Sequence, residues 1–225
     1  MQTLAPTSKK QTRFARLLLS ACLAFSLQPV NAATLIDDFD DFQEAHSIVQ
    51  PSSGPLVISS TELSGVITRS FAISATGDAD SGRMYSELGD LSIASDSGTV
   101  VNASVSYNFD NINLTNLANA LVFDIESDLA TQIEIIVNQS SSFVFQNSPQ
   151  LTQYVVLFSS FSAPEAFAQL ASMRINFHTL EDGDLLMSGI SASMVSVPEP
   201  SVAALLTIGL LALRRNKIKA IPVKA

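Results

Sequence analysis

The stretch VNASVSYN, residues 101–108, alternates apolar and polar side chains with a period of two. Its apolar members are Val101, Ala103, Val105 and Tyr107, and its polar members are Asn102, Ser104, Ser106 and Asn108. Successive side chains of an extended strand point to opposite faces, so the pattern predicts a strand with one face in a core and the other in solvent.

Short runs of similar composition recur along the chain. They are LVIS (56–59), GVITRSFAIS (65–74), ALVFDIES (120–127), QIEIIVNQ (132–139), QYVVLFS (153–159), MRINFHT (173–179) and LLMSGISAS (185–193). Turn-rich pieces such as ATGDADSG and EDGD separate them, and PEAFAQLA (164–171) is the one helical candidate. Many short strands without a strand-helix rhythm predict an all-β fold, an antiparallel sandwich or jelly roll.

The charges divide the chain into three parts. Residues 33–197 hold 20 acidic residues against 3 basic ones, Arg69, Arg83 and Arg174, for a formal charge of −17. The other nine basic residues lie near the two ends. A domain this acidic repels a phosphate backbone, so no nucleic-acid partner is expected.

The N-terminal 32 residues have the layout of a secretory signal peptide. Lys9, Lys10, Arg13 and Arg16 precede the apolar run 17–27, and small residues lead to a cleavage point between Ala32 and Ala33. A second reading is a lipoprotein signal, in which LSAC would make Cys22 the lipidated first residue. Cys22 is the only cysteine, so after cleavage at Ala32 disulfides and thiolate chemistry are excluded.

The C-terminus has the layout of a membrane stop. The apolar run 201–213 is followed directly by Arg214, Arg215, Lys217 and Lys219. Because positive charge stays in the cytoplasm, this order predicts a transmembrane helix that halts late in export with the domain outside. The alternative is a terminal helix packed on the domain.

The motif Val197, Pro198, Glu199 and Pro200, the apolar run and the arginines resemble, in that order, the PEP-CTERM sorting signal of Gram-negative bacteria. The resemblance implies recognition by an exosortase, cleavage near the motif and delivery to the cell surface or the exopolysaccharide matrix. The run of 13 residues is shorter than the roughly 20 of a full span, and the tail 216–225 is longer than usual. The expected division is a signal peptide (1–32), a β-sandwich ectodomain (33–195) and a sorting signal (196–225).

The segments IDDFDDF, ALVFDIES and DGDLLMSGISA resemble, loosely, the galactose-binding-like jelly rolls, a resemblance that implies a fold and often a structural calcium. Two acidic clusters would supply the ligands if the first and last strands lie side by side. They are Asp37, Asp38, Asp40 and Asp41, and Glu181, Asp182 and Asp184. Hard cations such as calcium prefer several oxygen ligands. The alternative is that both clusters are solvated turns.

Catalysis is not expected from this sequence. Its two histidines, His46 and His178, stand near no recognisable nucleophile motif, and His178 reads as a strand residue facing solvent. A glycosidase needs two carboxylates held in a cleft, and the chain has no tryptophan to stack a sugar. Tyr85, beside Arg83, is the best candidate for a sugar platform, and the alternative is an ordinary edge residue with Met84 facing inward.

The sequence therefore predicts an exported cell-surface or matrix protein, structural or adhesive in exopolysaccharide or biofilm, with exosortase and, transiently, the inner membrane as partners. The alternative function is a carbohydrate-binding module attached to exopolysaccharide. An exported hydrolase is a third and weaker hypothesis. No cofactor other than calcium is expected.

Overall fold

A computed structural model describes residues 33–78 and 80–196 of the chain. The predicted signal peptide with Ala32, the sorting motif Val197 to Pro200 and the basic residues from Arg214 to Lys219 lie outside the described residues. Within the described ranges there is no helix of a length and apolarity that would cross a membrane.

The described residues form thirteen strands and three short 3₁₀ helices. The strands are β1 (Thr34–Asp37), β2 (Gln43–His46), β3 (Ser52–Val57), β4 (Thr68–Gly77), β5 (Gly82–Glu87), β6 (Asp90–Ser95), β7 (Thr99–Ile112), β8 (Ala120–Ser127), β9 (Gln132–Val137), β10 (Ser141–Gln146), β11 (Thr152–Leu157), β12 (Leu170–His178) and β13 (Leu185–Ser193). The 3₁₀ helices are Leu114–Asn116, Phe158–Ser160 and Pro164–Gln169, the last at the predicted helical segment.

Two antiparallel sheets form a β-sandwich, which confirms the predicted fold class at this level. One sheet has the strand order β11-β8-β13-β6-β5-β2, with β1 also paired to β13. The other has the order β10-β9-β12-β7-β4-β3. The strands β8 and β13 begin and end where the sequence pattern placed them.

The long strand β7 shows how the alternating pattern builds the core. Its four apolar side chains, Val101, Ala103, Val105 and Tyr107, are buried between the sheets, whereas Asn102 and Asn108 are exposed. The expected orientation of the quoted stretch is therefore confirmed. Ser104 lies on the outward side but is also buried. The reason is Arg174 on β12, whose Nη2 donates to the Ser104 Oγ at 3.1 Å.

The first and last strands pair, as the calcium hypothesis required. In the antiparallel register Thr34 lies opposite Ala192 and Asp37 lies opposite Ile190. The residue Asp184, however, precedes the other end of β13. At the rise of a strand, the step of six positions from 184 to 190 separates Asp184 from the level of Asp37 by about 20 Å.

Candidate functional site

An open groove of about 440 Å³ lies on the outer face of the six-stranded sheet. The polar residues that line it come from four adjacent central strands, β4, β7, β12 and β9. They are Ser74, Asn102, Ser104, Gln132, Glu134, Arg174, Asn176 and His178. Each is an outward-facing residue of an alternating strand, so the period-two pattern that builds the core also builds this surface.

The strand register aligns these side chains in rows across the sheet. His178 lies opposite Asn102 on one side and Gln132 on the other. In the next row Asn176 lies opposite Ser104 and Glu134. Because neighbouring strands are about 4.8 Å apart, four strands give each row a length of roughly 15 Å.

Hydrogen bonds within the rows hold the lining side chains in place. The Asn176 Nδ2 donates to the Glu134 Oε2 at 2.9 Å. The His178 Nδ1 contacts the Asn102 Oδ1 directly, and His178 is exposed on β12, which confirms its predicted position. The groove lining thus combines one carboxylate, one guanidinium, one imidazole and several amide and hydroxyl groups, which are all hydrogen-bond donors or acceptors.

A second polar cluster is buried between the two sheets around Arg69 of β4. The Nη1 group of Arg69 donates to both carboxylate oxygens of Asp37 on β1, at 3.0 and 2.8 Å. Its Nε donates to the Gln43 Oε1 at 3.0 Å, and its Nη2 donates to the Asp41 carbonyl and the Ser86 Oγ. These five hydrogen bonds use all five N–H donors of the arginine side chain. The side chains of Arg69 and Asp37 are both fully buried.

Asp37 is held on its other side by Tyr107 of β7. The Tyr107 hydroxyl donates to the Asp37 Oδ2 at 2.8 Å, and the backbone N–H of Phe39 donates to the Oδ1 at 2.9 Å. Burial raises the pKa of the Asp37 carboxyl above its ordinary value, although the Arg69 charge and the two hydrogen bonds act in the lowering direction. Burial, together with the Asp37 charge, raises the pKa of Tyr107 well above its ordinary value. The cluster joins the two sheets and is structural.

The structure does not gather the two acidic clusters into one group of carboxylates, so a calcium site shared by them remains a prediction. Asp37 is paired with Arg69 and lies opposite Ile190, near the middle of β13, whereas Asp184 precedes the start of that strand. Four of the other carboxylates accept backbone N–H bonds: Asp38 from Asp40, Asp41 from Ser59, Asp182 from Gly98, and Asp184 from Ser95. Across residues 33–78 and 80–196, no three acidic or histidine side chains are grouped so that they could hold a metal ion.

Arg83 and Tyr85 lie on β5, on the outer face of the seven-stranded sheet and therefore away from the groove. The Arg83 guanidinium carbon lies 4.6 Å from the centroid of the Tyr85 ring, and the Arg83 Nε donates to the Glu44 Oε1 at 2.6 Å. Met84 faces the core, as the alternative of an ordinary edge residue predicts. The structure therefore places a stacked arginine on the Tyr85 ring face that a sugar platform would need.

Sequence reasoning missed most of the groove. The sequence pattern predicts that Asn102 and Ser104 face outward. It gave no prediction of a binding role for Gln132, Glu134, Arg174 and Asn176. Their signal was the alternation in QIEIIV and MRINFH, which marks outward positions on two strands. That the two strands are neighbours, and that both adjoin β7, is not visible in the alternation.

No protein family and no curated protein matches this sequence. Among solved structures, the chain is similar to a family 11 carbohydrate-binding module from Clostridium thermocellum in complex with a β-1,3-1,4-mixed-linked tetrasaccharide, at 12% identity over 72% of this chain and 96% of that chain, with a TM-score of 0.40. It is also similar to a family 29 module complexed with cellulohexaose (13% identity, 55% and 80% coverage, TM-score 0.33) and to the agarase AgWH50C (15% identity, 57% and 23% coverage, TM-score 0.41). At these TM-scores the likenesses carry no argument about the ligand of this chain.

Proposed function

We propose that the described domain binds a polysaccharide along the groove of the six-stranded sheet. The observation that carries the proposal is the pair of cross-strand rows of outward amide, carboxylate, imidazole and hydroxyl side chains. Sugar hydroxyls are both donors and acceptors, and Asn, Gln, Glu and His side chains supply both roles. A groove that is open along its length suits a chain rather than a small enclosed ligand.

The groove suits binding better than hydrolysis. Glu134 is the one carboxylate among the residues that line it. Glycoside hydrolysis uses two carboxylates that flank the scissile bond, one as acid and one as base or nucleophile. The lining also lacks an exposed aromatic ring, so we expect hydrogen bonds to dominate and the affinity to be modest.

Binding is tested with soluble polysaccharides and the purified protein. We expect saturable retardation or heat release with at least one member of a panel comprising β-1,3-1,4-mixed-linked glucan, cellulohexaose, mannohexaose, agarose oligosaccharides and the host's exopolysaccharide. Glu134→Ala and Asn176→Ala should each weaken binding about tenfold or more, because each removes hydrogen bonds to the ligand.

The matched control is Glu126→Ala, which removes the same charge from an exposed position on the other sheet. It should leave the dissociation constant unchanged. Equal loss for Glu134→Ala and Glu126→Ala, or no binding to any member of the panel, would refute the groove as a glycan site.

We also propose that this domain reaches the cell surface or extracellular matrix by export and exosortase sorting, and that it is a jelly roll of the galactose-binding-like type. The support for sorting is the sequence of the two ends: a signal peptide to Ala32, the motif Val197 to Pro200, and the basic stop after residue 213. A glycan-binding face on such a protein would attach it to exopolysaccharide, which agrees with an adhesive or structural role in biofilm.

Sorting is tested by mass spectrometry of the protein recovered from a host that has an exosortase. We expect an N-terminus at Ala33 and a C-terminus close to Pro200. Glu199→Ala should cause unprocessed protein to accumulate in the inner membrane. Recovery of a chain that still ends at Ala225 from the cell surface would contradict the proposal, and an N-terminus at a lipidated Cys22 would contradict the cleavage site.

A further inference from the structure

One long segment of this acidic domain carries no charge. Residues 135–164 contain no Asp, Glu, Lys, Arg or His, whereas the whole span 33–197 has a formal charge of −17. The segment includes β10 and β11 with the loops around them. We refer to residues 135–164 as the uncharged flank.

The uncharged flank forms one side of the sandwich. β10 is the terminal strand of the six-stranded sheet, and β11 is the terminal strand of the seven-stranded sheet. The two edges adjoin, because the Phe145 and Tyr154 rings lie 5.1 Å apart between centroids. Both terminal strands on this side therefore belong to the uncharged segment, and the nearest carboxylates, Glu134 opposite Val144 and Asp124 opposite Gln153, lie one strand further inward.

The edges on the opposite side of the sandwich carry features that discourage pairing with another chain. In β3, Gly54 and Pro55 interrupt the strand and shift its register against β4. The other edge strand, β2, is four residues long and carries Glu44 in an ion pair with Arg83. Proline, bulges, charges and short length are the usual protections of an edge strand. β10 and β11 have none of them and keep regular registers over six residues each.

The exposed groups of the flank are those that an added strand would use. At one end of β10 the Ser142 N–H and carbonyl point away from β9, and both are already bonded to Ser162, so this end of the edge is covered. The backbone N–H and C=O groups of Val144 and Gln146 also point away from β9, because every second residue of a strand directs these groups to the same side. The side chains of Val144, Leu151 and Val155 are 48%, 66% and 45% exposed.

We propose that the uncharged flank binds the same flank of a second copy of this chain, with edge strands added in antiparallel order. Two copies with this negative charge repel each other at other surfaces, and the uncharged flank is where they approach at the lowest electrostatic cost. A flank without charge selects no charged partner. A second copy presents the same apolar edge, and a two-fold axis makes such a surface self-complementary.

The test is sedimentation velocity of the full chain over a concentration series, in a detergent that covers the segment 201–213 equally in all variants. We expect reversible association that Val155→Lys weakens about tenfold or more, since it places like charges opposite each other across the two-fold. Val57→Lys is the matched control, because Val57 is 60% exposed on β3 at the opposite side of the sandwich. It should leave association unchanged.

A mixing experiment separates self-pairing from any other effect of the lysine. Val155→Lys and Val155→Glu should each associate poorly alone and should associate together when mixed. Thermal melts that match wild type show that each variant is folded. Absence of association in the wild type, equal association of Val155→Lys and Val57→Lys, or failure of the mixture to associate would each overturn the proposal.

Discussion

At the residue scale, the two ion pairs of the described domain differ in burial. The pair between Arg69 and Asp37 is fully buried between the sheets, whereas the pair between Arg83 and Glu44 is on the surface. Removing one partner of a buried pair leaves an uncompensated charge in a medium of low dielectric constant. An exposed pair loses little, because water already screens its charges.

We therefore predict that Arg69→Ala lowers the free energy of unfolding by about 3 to 5 kcal/mol. Arg83→Ala should lower it by at most about 1 kcal/mol. Urea denaturation followed by circular dichroism measures both. Equal losses in the two variants would show that the buried cluster does not hold the sheets together.

We predict that the folded domain loses stability in alkali because of Tyr107. The raised pKa of its buried hydroxyl means that the native state keeps this proton at a pH where the unfolded chain loses it. Stability should therefore fall as the pH rises above about 10, by up to about 1.4 kcal/mol per pH unit, until the native pKa is reached. Residues 33–197 contain no lysine, so no ammonium group of this span titrates in the same window.

Tyr107→Phe supplies the comparison for this pH dependence. It should be less stable than wild type at neutral pH, because the hydrogen bond to Asp37 is lost. Its stability should, however, fall less steeply above pH 10 by the contribution of one proton. Thermal melts measure the stability of both proteins at each pH. If stability fell with the same slope above pH 10 in wild type and in Tyr107→Phe, Tyr107 would not be the group that titrates.

At the scale of the element, the pairing of β4 with β7 ends at a position that only glycine can occupy. Gly77 has a φ of +141° and lies opposite Thr99, and a Cβ built on it would come within 2.0 Å of the Gly98 carbonyl oxygen. Gly89, in the turn between β5 and β6, also has a positive φ of +94°, but its nearest neighbours would be 3.9 Å away. Both positions have backbone angles that are unfavourable for a side chain. Only Gly77 also lies so close to the neighbouring backbone that a Cβ would clash.

Gly89→Ala should therefore cost roughly 1 to 2 kcal/mol of unfolding free energy from backbone strain alone. Gly77→Ala should cost roughly 3 kcal/mol or more, because the two strands must separate to admit the methyl group. Chemical denaturation of both variants measures the difference. If Gly77→Ala lost no more unfolding free energy than Gly89→Ala, β4 and β7 would lie further apart at Gly77 than the structure shows.

Three of the strands that the sequence pattern missed, β1, β2 and β5, are also explained at this scale. β1 and β2 are four residues each, too short for a clear alternation, and β1 holds Asp37 at a buried position. β5 alternates from Gly82 to Glu87, but its inward members are Gly82, Met84 and Ser86. An inward face with a single large apolar side chain gives little periodic signal.

At the scale of the whole molecule, the charges leave two distinct surfaces. The groove carries one acid and one base among its lining residues, and the uncharged flank carries no charge, although 20 acidic residues lie within 33–197. Negative charge on the remaining surface keeps copies apart in solution. The two surfaces adjoin at Val144, which lies opposite Glu134 of the groove. Val155 belongs to β11 of the other sheet, so Val155→Lys should leave glycan binding intact.

The sequence by itself determined the features that depend on neighbours along the chain. The alternation in residues 101–108 predicts an all-β sandwich, because a strand faces core and solvent with a period of two whatever its partners are. The expected signals at the two ends are likewise linear patterns, and the described residues neither include nor test them.

Tertiary structure alone decided which residues meet. Arg69 finds Asp37 32 residues away, and His178 finds Asn102 76 residues away, across strands whose order no local pattern encodes. The same order pairs Asp37 with Ile190 near the middle of β13, whereas Asp184 precedes the start of that strand. Strand order comes from the competition of all possible pairings for one core, so the groove and the buried cluster become visible only when the sheets are assembled.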